Sequence, residues 1–399
     1  MYILLDIKKN GVIELITKSK RARTYLLPIM SVVLIFSLLI SPTRSIAAAK
    51  TGLLLWFNTV LPSLLPFIIG ANILMASNSI YFLEKLFRPI MGPLFNLPGC
   101  CAFPWIMGLV SGYPMGAKIT AELRQNNQIS DIETQRLLGF CNNSGPFFIL
   151  GAIGVGMLQN EQLGYFLLMI HFISSVLTGI LFRFYKENQP SQAKSHTTPF
   201  IALNSMGEVL GSSITRSMEV IIQIGGYIII FSVIGELLKS TYFIVLLAKL
   251  IHFIFQPLGM SQELALSWLI GIIEMSNGVS LVSTAPASQI LTLSTISFLV
   301  AWGGLSIHAQ SLHLLQNTNI KTSLYLLGKL LHAALAFLLT FFLFPTYLTR
   351  TEKLMPTFAT PHYKYFSLAS LVFVAFAILI ALRTMRFQKN NPLHKNSRG

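Results

Sequence analysis

The sequence predicts an all-α, polytopic membrane protein of roughly 8–12 helices, built as two internally repeated halves that contain broken or re-entrant segments. Three observations lead there. Of 399 residues, 53% are hydrophobic and 11% are charged, whereas a soluble domain carries about 25% charged residues. The apolar residues fall in successive runs, many near the roughly 20 residues that cross a bilayer as a helix. Finally, two polar interruptions of those runs recur when the chain is compared with itself at an offset of 163 residues. The same composition excludes disorder and collagen-like structure. Three cysteines are too few for a disulfide scaffold, and Cys100, Cys101 and Cys141 lack the spacing of a metal site. No P-loop is present, and no cofactor or metal is expected.

The formal net charge of +15 is a matter of topology. Residues 1–24 carry six basic against two acidic side chains, and residues 383–399 carry Arg383, Arg386, Lys389, Lys395 and Arg398 with no acid. The positive-inside rule places both segments in the cytoplasm and so requires an even number of crossings. Anionic membrane lipid is the partner these segments fit. Nucleic acid is not expected, because the basic residues are not interleaved with aromatics on a soluble module.

In chain order, a basic segment (1–24) precedes a first transmembrane helix within 25–50. The apolar run at 25–41 is read as retained rather than cleaved, since Arg44 intervenes before Ala47, Ala48 and Ala49 and further spans follow at once. The first repeat covers 51–205. It begins with a span at 52–75 interrupted by Pro62 and Pro66, each of which removes a backbone hydrogen bond. Residues 80–97 mix Glu84, Lys85 and Arg88 with apolar neighbours and predict an interfacial helix. The run 101–116 is short and broken by Gly108, Gly112, Pro114 and Gly116, so it either crosses or re-enters. Stretches 118–136 and 184–205 read as loops. A run at 137–158 is interrupted at Asn142-Asn143-Ser144-Gly145-Pro146, and 163–182 is an ordinary span. The second repeat, 206–345, offers spans near 220–238, 241–258, 264–283, 288–305 and 324–345. Residues 346–399 hold a last helix near 366–382 and the basic tail.

At the offset of 163, Trp105-Ile106-Met107-Gly108 falls on Trp268-Leu269-Ile270-Gly271. Ser111-Gly112-Tyr113-Pro114 falls on Glu274-Met275-Ser276-Asn277, and Asn142 through Pro146 falls on Leu305-Ser306-Ile307-His308-Ala309. Paired interrupted segments at matching positions of two halves mark a transporter site at the repeat interface.

Polar groups inside a bilayer cost roughly 2.5–3.5 kcal/mol each on insertion scales, so each needs a reason. Four clusters qualify. In the first, Ser111, Gly112, Tyr113 and Pro114 unwind the helix and free its backbone groups. There Lys118 either supplies charge to an anion or simply begins a loop. The second, Asn142, Asn143, Ser144 and Gly145, sets amides and a hydroxyl before a half-helix whose N-terminus favours negative charge. Downstream, Gly151, Gly154 and Gly156 follow no strand and fit close helix packing rather than dinucleotide binding. The third is Glu274 with Ser276, Asn277 and Gly278; Glu274 is either a proton carrier or the static partner of a buried Lys or His. The fourth is Gly303-Gly304 with Ser306, His308 and Gln310. Lys329 and His332 lie near it, one turn apart on one helix face. Lys329 and His332 join Glu274 as candidates for coupling, and the polar residues of the four clusters are the candidate substrate ligands. A serine hydrolase built on Ser306 and His308 has poor geometry at a separation of two residues, so no enzymatic activity is expected.

These motifs, together with Leu61-Pro62-Ser63-Leu64-Leu65-Pro66-Phe67 and Gly271 through Gly278, resemble sporulation integral membrane proteins of the YlbJ type over about residues 25–345. Ser276 stands where threonine is more usual and keeps the hydroxyl. The resemblance implies relation to nucleoside-transporter gate domains and a role in moving dipicolinic acid, pyridine-2,6-dicarboxylate, across the outer forespore membrane. The planar dianion would find donors and positive charge at Lys118, Asn142, Asn143, His308 and helix N-termini, with Tyr113 stacking on its ring. A nucleoside or another small metabolite also suits amides and serines, and a non-transporting scaffold for spore assembly is the reading from a different class. A small-molecule anionic substrate is the expected partner, with homo-oligomerisation or sporulation partner proteins left open.

Overall fold

The computed structural model describes residues 34–76, 89–186, 205–239, 241–316 and 318–352, with isolated positions at 28, 31, 32, 86 and 87. The basic termini, the helix expected at 366–382, most of the 184–205 stretch, and Glu84, Lys85 and Arg88 lie outside the described residues. Within them the secondary structure is helical throughout, and four helices are long and apolar enough to cross a membrane: Glu161–Phe182, Met206–Lys239, Gln289–Leu314 and Thr322–Leu348.

Helix α1 (Pro42–Leu55) starts with proline in its first turn, where the missing N–H is not needed. It runs through a π-helical turn, Trp56–Val60, into α2 (Leu61–Ala76), which contains Pro66. The two pieces bend by 53°, as the prolines predict. Both pack on α8 (Met206–Lys239). The Trp56 indole lies against Gly225 and donates to the Ile221 carbonyl at 3.0 Å, and Asn72 Nδ2 donates to Ser217 Oγ at 2.8 Å.

The first repeat continues with α3 (Ala102–Ser111), α4 (Met115–Gln125), α5 (Asp131–Leu138), the wide helix α6 (Phe148–Met157) and α7 (Glu161–Phe182). After α8 and α9 (Tyr242–Phe255), the second repeat brings α10 (Gln262–Ile273), α11 (Met275–Thr284), α12 (Gln289–Trp302), α13 (Gly304–Leu314) and α14 (Thr322–Glu352). Adding 163 to α3, α4, α5 and α7 lands on α10, α11, α12 and α14, while α6 falls on the end of α13 and the residues after it.

The breaks turn both expected crossings into hairpins. At about 1.5 Å per residue, α3 spans roughly 15 Å, half the hydrocarbon thickness, and α4 folds back on it. The run 101–116 therefore re-enters. So does 264–283: the sequence predicts one span there, but the chain breaks at Glu274 and α11 packs back on α10. Glycine makes both turns possible. A Cβ at Gly108 or Gly116 would stand 1.7 or 2.1 Å from the Cys141 carbonyl oxygen, and one at Gly278 would stand 2.0 Å from Gly271 Cα.

Two further expectations are corrected. Stretch 118–136 is a helical pair rather than a loop. Its polar residues satisfy each other, through the capping box of Ser130 with Glu133 and the ion pair of Arg124 with Asp131. Residues 91–95 are not merely interfacial, because Met91 and Phe95 are wholly buried and Phe95 stacks on Phe140 with ring centroids 4.4 Å apart. Arg136 fixes this corner by donating to the carbonyls of Asn96, Tyr185 and Lys186 at 2.8–2.9 Å.

Gly108→Val and Gly278→Val should each prevent monodisperse folding, and alanine at either position should cost about 1–3 kcal/mol by forcing backbones apart. Size-exclusion profiles and thermal melting in detergent will test this, and wild-type behaviour of both valine variants would reject the hairpin packing.

Candidate functional site

The breaks of each half meet in space. A Cβ on Gly112 would lie 2.7 Å from Gly145 N, so the two breaks of the first repeat touch; one on Gly304 would lie 3.0 Å from Met275 N, so those of the second do too. Gly112, Gly303 and Gly304 have φ of +79°, +88° and +83°, a region that side-chain-bearing residues rarely enter. A cavity of about 50 Å³ lies where the two pairs face each other.

Nine of the predicted residues line it: Ser111, Gly112, Tyr113, Ser144, Gly145, Glu274, Ser276, Ser306 and Gln310. Glu274 is the only charged residue among them. Its carboxylate accepts the backbone N–H groups of Ser276 at 3.1 Å and Asn277 at 2.7 Å, capping the N-terminus of α11. The negative group thus already occupies the favourable end of a half-helix. Among the described residues it forms no ion pair with lysine or histidine. The Ser111 and Ser306 hydroxyls, both buried, have no hydrogen-bond partner there.

The remaining predicted residues do not line this cavity. Asn142 and Asn143 are fully buried and work as scaffold. Asn142 Nδ2 donates to Ser311 Oγ at 2.8 Å and Tyr325 Oη at 3.2 Å, while Asn143 Nδ2 donates to the Phe140 carbonyl at 2.7 Å and Ser175 Oγ at 3.1 Å. Asn277 Nδ2 donates to Ser232 Oγ on α8. His308 packs edge-on against Trp302 and sits 3.1 Å from Tyr325 Oη. Pro114 and half-buried Lys118 begin the returning arm of the first hairpin. The buried cation is instead Lys329, whose Nζ donates to Tyr113 Oη at 2.9 Å and the Asn142 carbonyl at 2.7 Å.

His332 is buried against His171, a residue that sequence reasoning passed over. The rings lie 4.8 Å apart, and His332 Nε2 donates to the His171 carbonyl at 3.3 Å. The two histidines sit 161 residues apart on α7 and α14, whereas the offset of 163 sets His171 against Ala334, so the repeat comparison does not pair them. His171 Nε2 accepts the Ser144 N–H at 3.1 Å, so in the neutral ring Nδ1 carries the proton. Also missed were the walls that precede the hairpins, Val60 and Leu64 from the α1–α2 arm and Ile224, Tyr227 and Ile228 from α8. Their apolar pattern is that of any membrane helix. A second cavity of about 510 Å³, mostly apolar, lies between α3 and α7 and shares Ser144 with the first.

The arrangement can hold a polar solute between two half-helix ends, with hydroxyl and amide donors and one carboxyl. At about 50 Å³ it is closed to anything larger than a few waters, since small-molecule sites occupy roughly 300–1,000 Å³.

Residues 57–159 match the family model described as Gate, nucleoside recognition. The chain is 34% identical over 311 residues to the sporulation integral membrane protein YlbJ of Bacillus subtilis (strain 168), covering 74% of this chain and 76% of that protein. A solved structure of CNTnw in an outward-facing state is similar over 78% of this chain and 87% of that one, with a TM-score of 0.44 and 14% identity.

Asn142→Ala and Asn143→Ala should each lower stability by about 1–3 kcal/mol, because each strands buried partners. Ser111→Ala and Ser306→Ala should leave stability unchanged or raise it, since each removes a buried hydroxyl with no partner. Thermal unfolding of the four variants side by side decides it, and equal losses in all four would erase the distinction between scaffold and lining.

Proposed function

Because the chain belongs to the YlbJ family of sporulation integral membrane proteins, we propose that it is a secondary transporter carrying a small aromatic carboxylate, dipicolinate, across the outer forespore membrane. The observation that carries this reading is the meeting of four helix breaks, two from each repeat, at one cavity that mixes hydroxyls and a carboxyl with apolar walls. Such a junction is where transporters with internal repeats bind their substrates. The orphan hydroxyls of Ser111 and Ser306, on opposite repeats, are the donors a carboxylate or ring nitrogen would engage.

Glu274 is the coupling group in this reading. An ionised Glu274 repels a substrate carboxylate at close range, so the dianion enters when Glu274 carries a proton. The sign follows: raising the pH on the side of entry ionises Glu274 and slows uptake, and lowering it speeds uptake. Lodging a pyridine ring also requires the two pairs of breaks to separate, which makes the closed cavity a resting or occluded state.

The match to a nucleoside-recognition model favours one second reading, a nucleoside-like substrate held by the same hydroxyls and by Gln310. Both readings meet in one experiment. Proteoliposomes of the full chain should accumulate labelled dipicolinate faster when the outside is acidic, and uridine should not compete. Glu274→Gln should keep flux but lose its pH dependence, and Ser306→Ala should weaken apparent affinity roughly fivefold, the worth of one ~1 kcal/mol hydrogen bond. Uridine uptake without dipicolinate uptake would give the second reading instead, and movement of neither under any gradient would remove the transport reading.

A further inference from the structure

Unwound carbonyls and the C-terminal ends of half-helices at membrane depth make oxygen-rich spots where secondary transporters hold a coupling cation. Here one such carbonyl and a phenol oxygen are met by a lysine side chain. Lys329 on α14 is 1% exposed. Its Nζ donates to the Asn142 carbonyl at 2.7 Å, in the second break of the first repeat, and to Tyr113 Oη at 2.9 Å, in the first break. Tyr113 Oη lies in turn 3.0 and 3.2 Å from the carbonyls of Val300 and Ala301, at the C-terminal end of α12 where the second repeat breaks. The Tyr113 ring also faces the ammonium, its centroid 4.9 Å away. Among the described residues no carboxylate pairs with Lys329. A buried charge without a counter-ion is costly, and the broken backbone and the phenol ring are what offset it.

We propose that Lys329 is a tethered replacement for a coupling cation: its ammonium fills the oxygen-lined spot between the breaks of the two repeats, so that no alkali ion binds there and substrate movement is not driven by a Na⁺ gradient. The helix supplies the amine covalently, and the same contact ties the first hairpin to the second repeat through Tyr113. This deepens the transport reading, but the cation question can be put to the resting protein without any substrate.

The test is thermal unfolding of the full-length protein in detergent, in choline chloride and with choline replaced stepwise by NaCl, KCl or methylammonium chloride at constant ionic strength. Wild type should melt at the same temperature in all four salts. Lys329→Ala should melt several degrees lower in choline and recover in a saturable way with Na⁺ or methylammonium, which can enter the vacated space. A saturable Na⁺- or K⁺-dependent rise in the wild type overturns the proposal, as does a Lys329→Ala variant that melts alike in every salt. Should that variant not fold, radioactive sodium binding to the wild type decides: no saturable binding supports the proposal, and one site per chain overturns it. Failure of dipicolinate flux would leave these results standing, and sodium binding to the wild type would leave the flux result standing.

Discussion

Everything near the centre of this protein depends on one constraint: backbone groups freed by breaking a helix inside a bilayer cannot turn to water and must be satisfied by the protein itself. The donors come from across the structure. Lys329 answers the carbonyl of Asn142, Tyr113 those of Val300 and Ala301, Trp302 that of Ile272 at 3.1 Å, and Asn143 with Ser175 that of Phe140. Most of these bonds join a break to a different helix, and Tyr113 joins one repeat to the other. Breaking the helices and holding the two halves together are therefore one problem with one solution.

The two repeats solve it by the same architecture with different chemistry. Each uses a glycine-packed hairpin and a second break lying against the first. Where the first hairpin turns with Ser111 and Gly112, the second turns with Glu274, whose carboxylate caps the half-helix that follows. The substitution of a carboxyl for a hydroxyl at matching positions makes the cavity asymmetric in charge, although its walls are symmetric in plan.

Much of this was legible in the sequence. The return of Gly108 as Gly271 and the alignment of Ser111–Pro114 with Glu274–Asn277 locate both interruptions, although not the direction the chain takes after them. Less legible was which polar residues face the cavity. Asn142 and Asn143 have the chemistry of ligands, yet the amide nitrogens of both bond to neighbouring helices and backbone, and nothing local to the chain distinguishes an amide that binds a substrate from one that binds a neighbouring helix. Lys118 looks like the cation of the site by its place beside Pro114, but the helical return of α4 carries it away from the cavity.

Composition, hydrophobic run length and internal repetition determined on their own that the chain is a helical membrane protein in two halves with paired interruptions, because the bilayer permits few alternatives and each leaves a mark in the sequence. Only the tertiary structure decided that 264–283 folds back rather than crosses, that Lys329 rather than Lys118 is the buried cation, and that α8 closes the cavity with Tyr227. The first rests on the close approach of Gly278 to Gly271, the second on bonds between residues 187 and 216 positions apart, and the third on a wall contributed by a distant helix. Side-chain hydrogen bonding and backbone close approach have no period for a sequence to display.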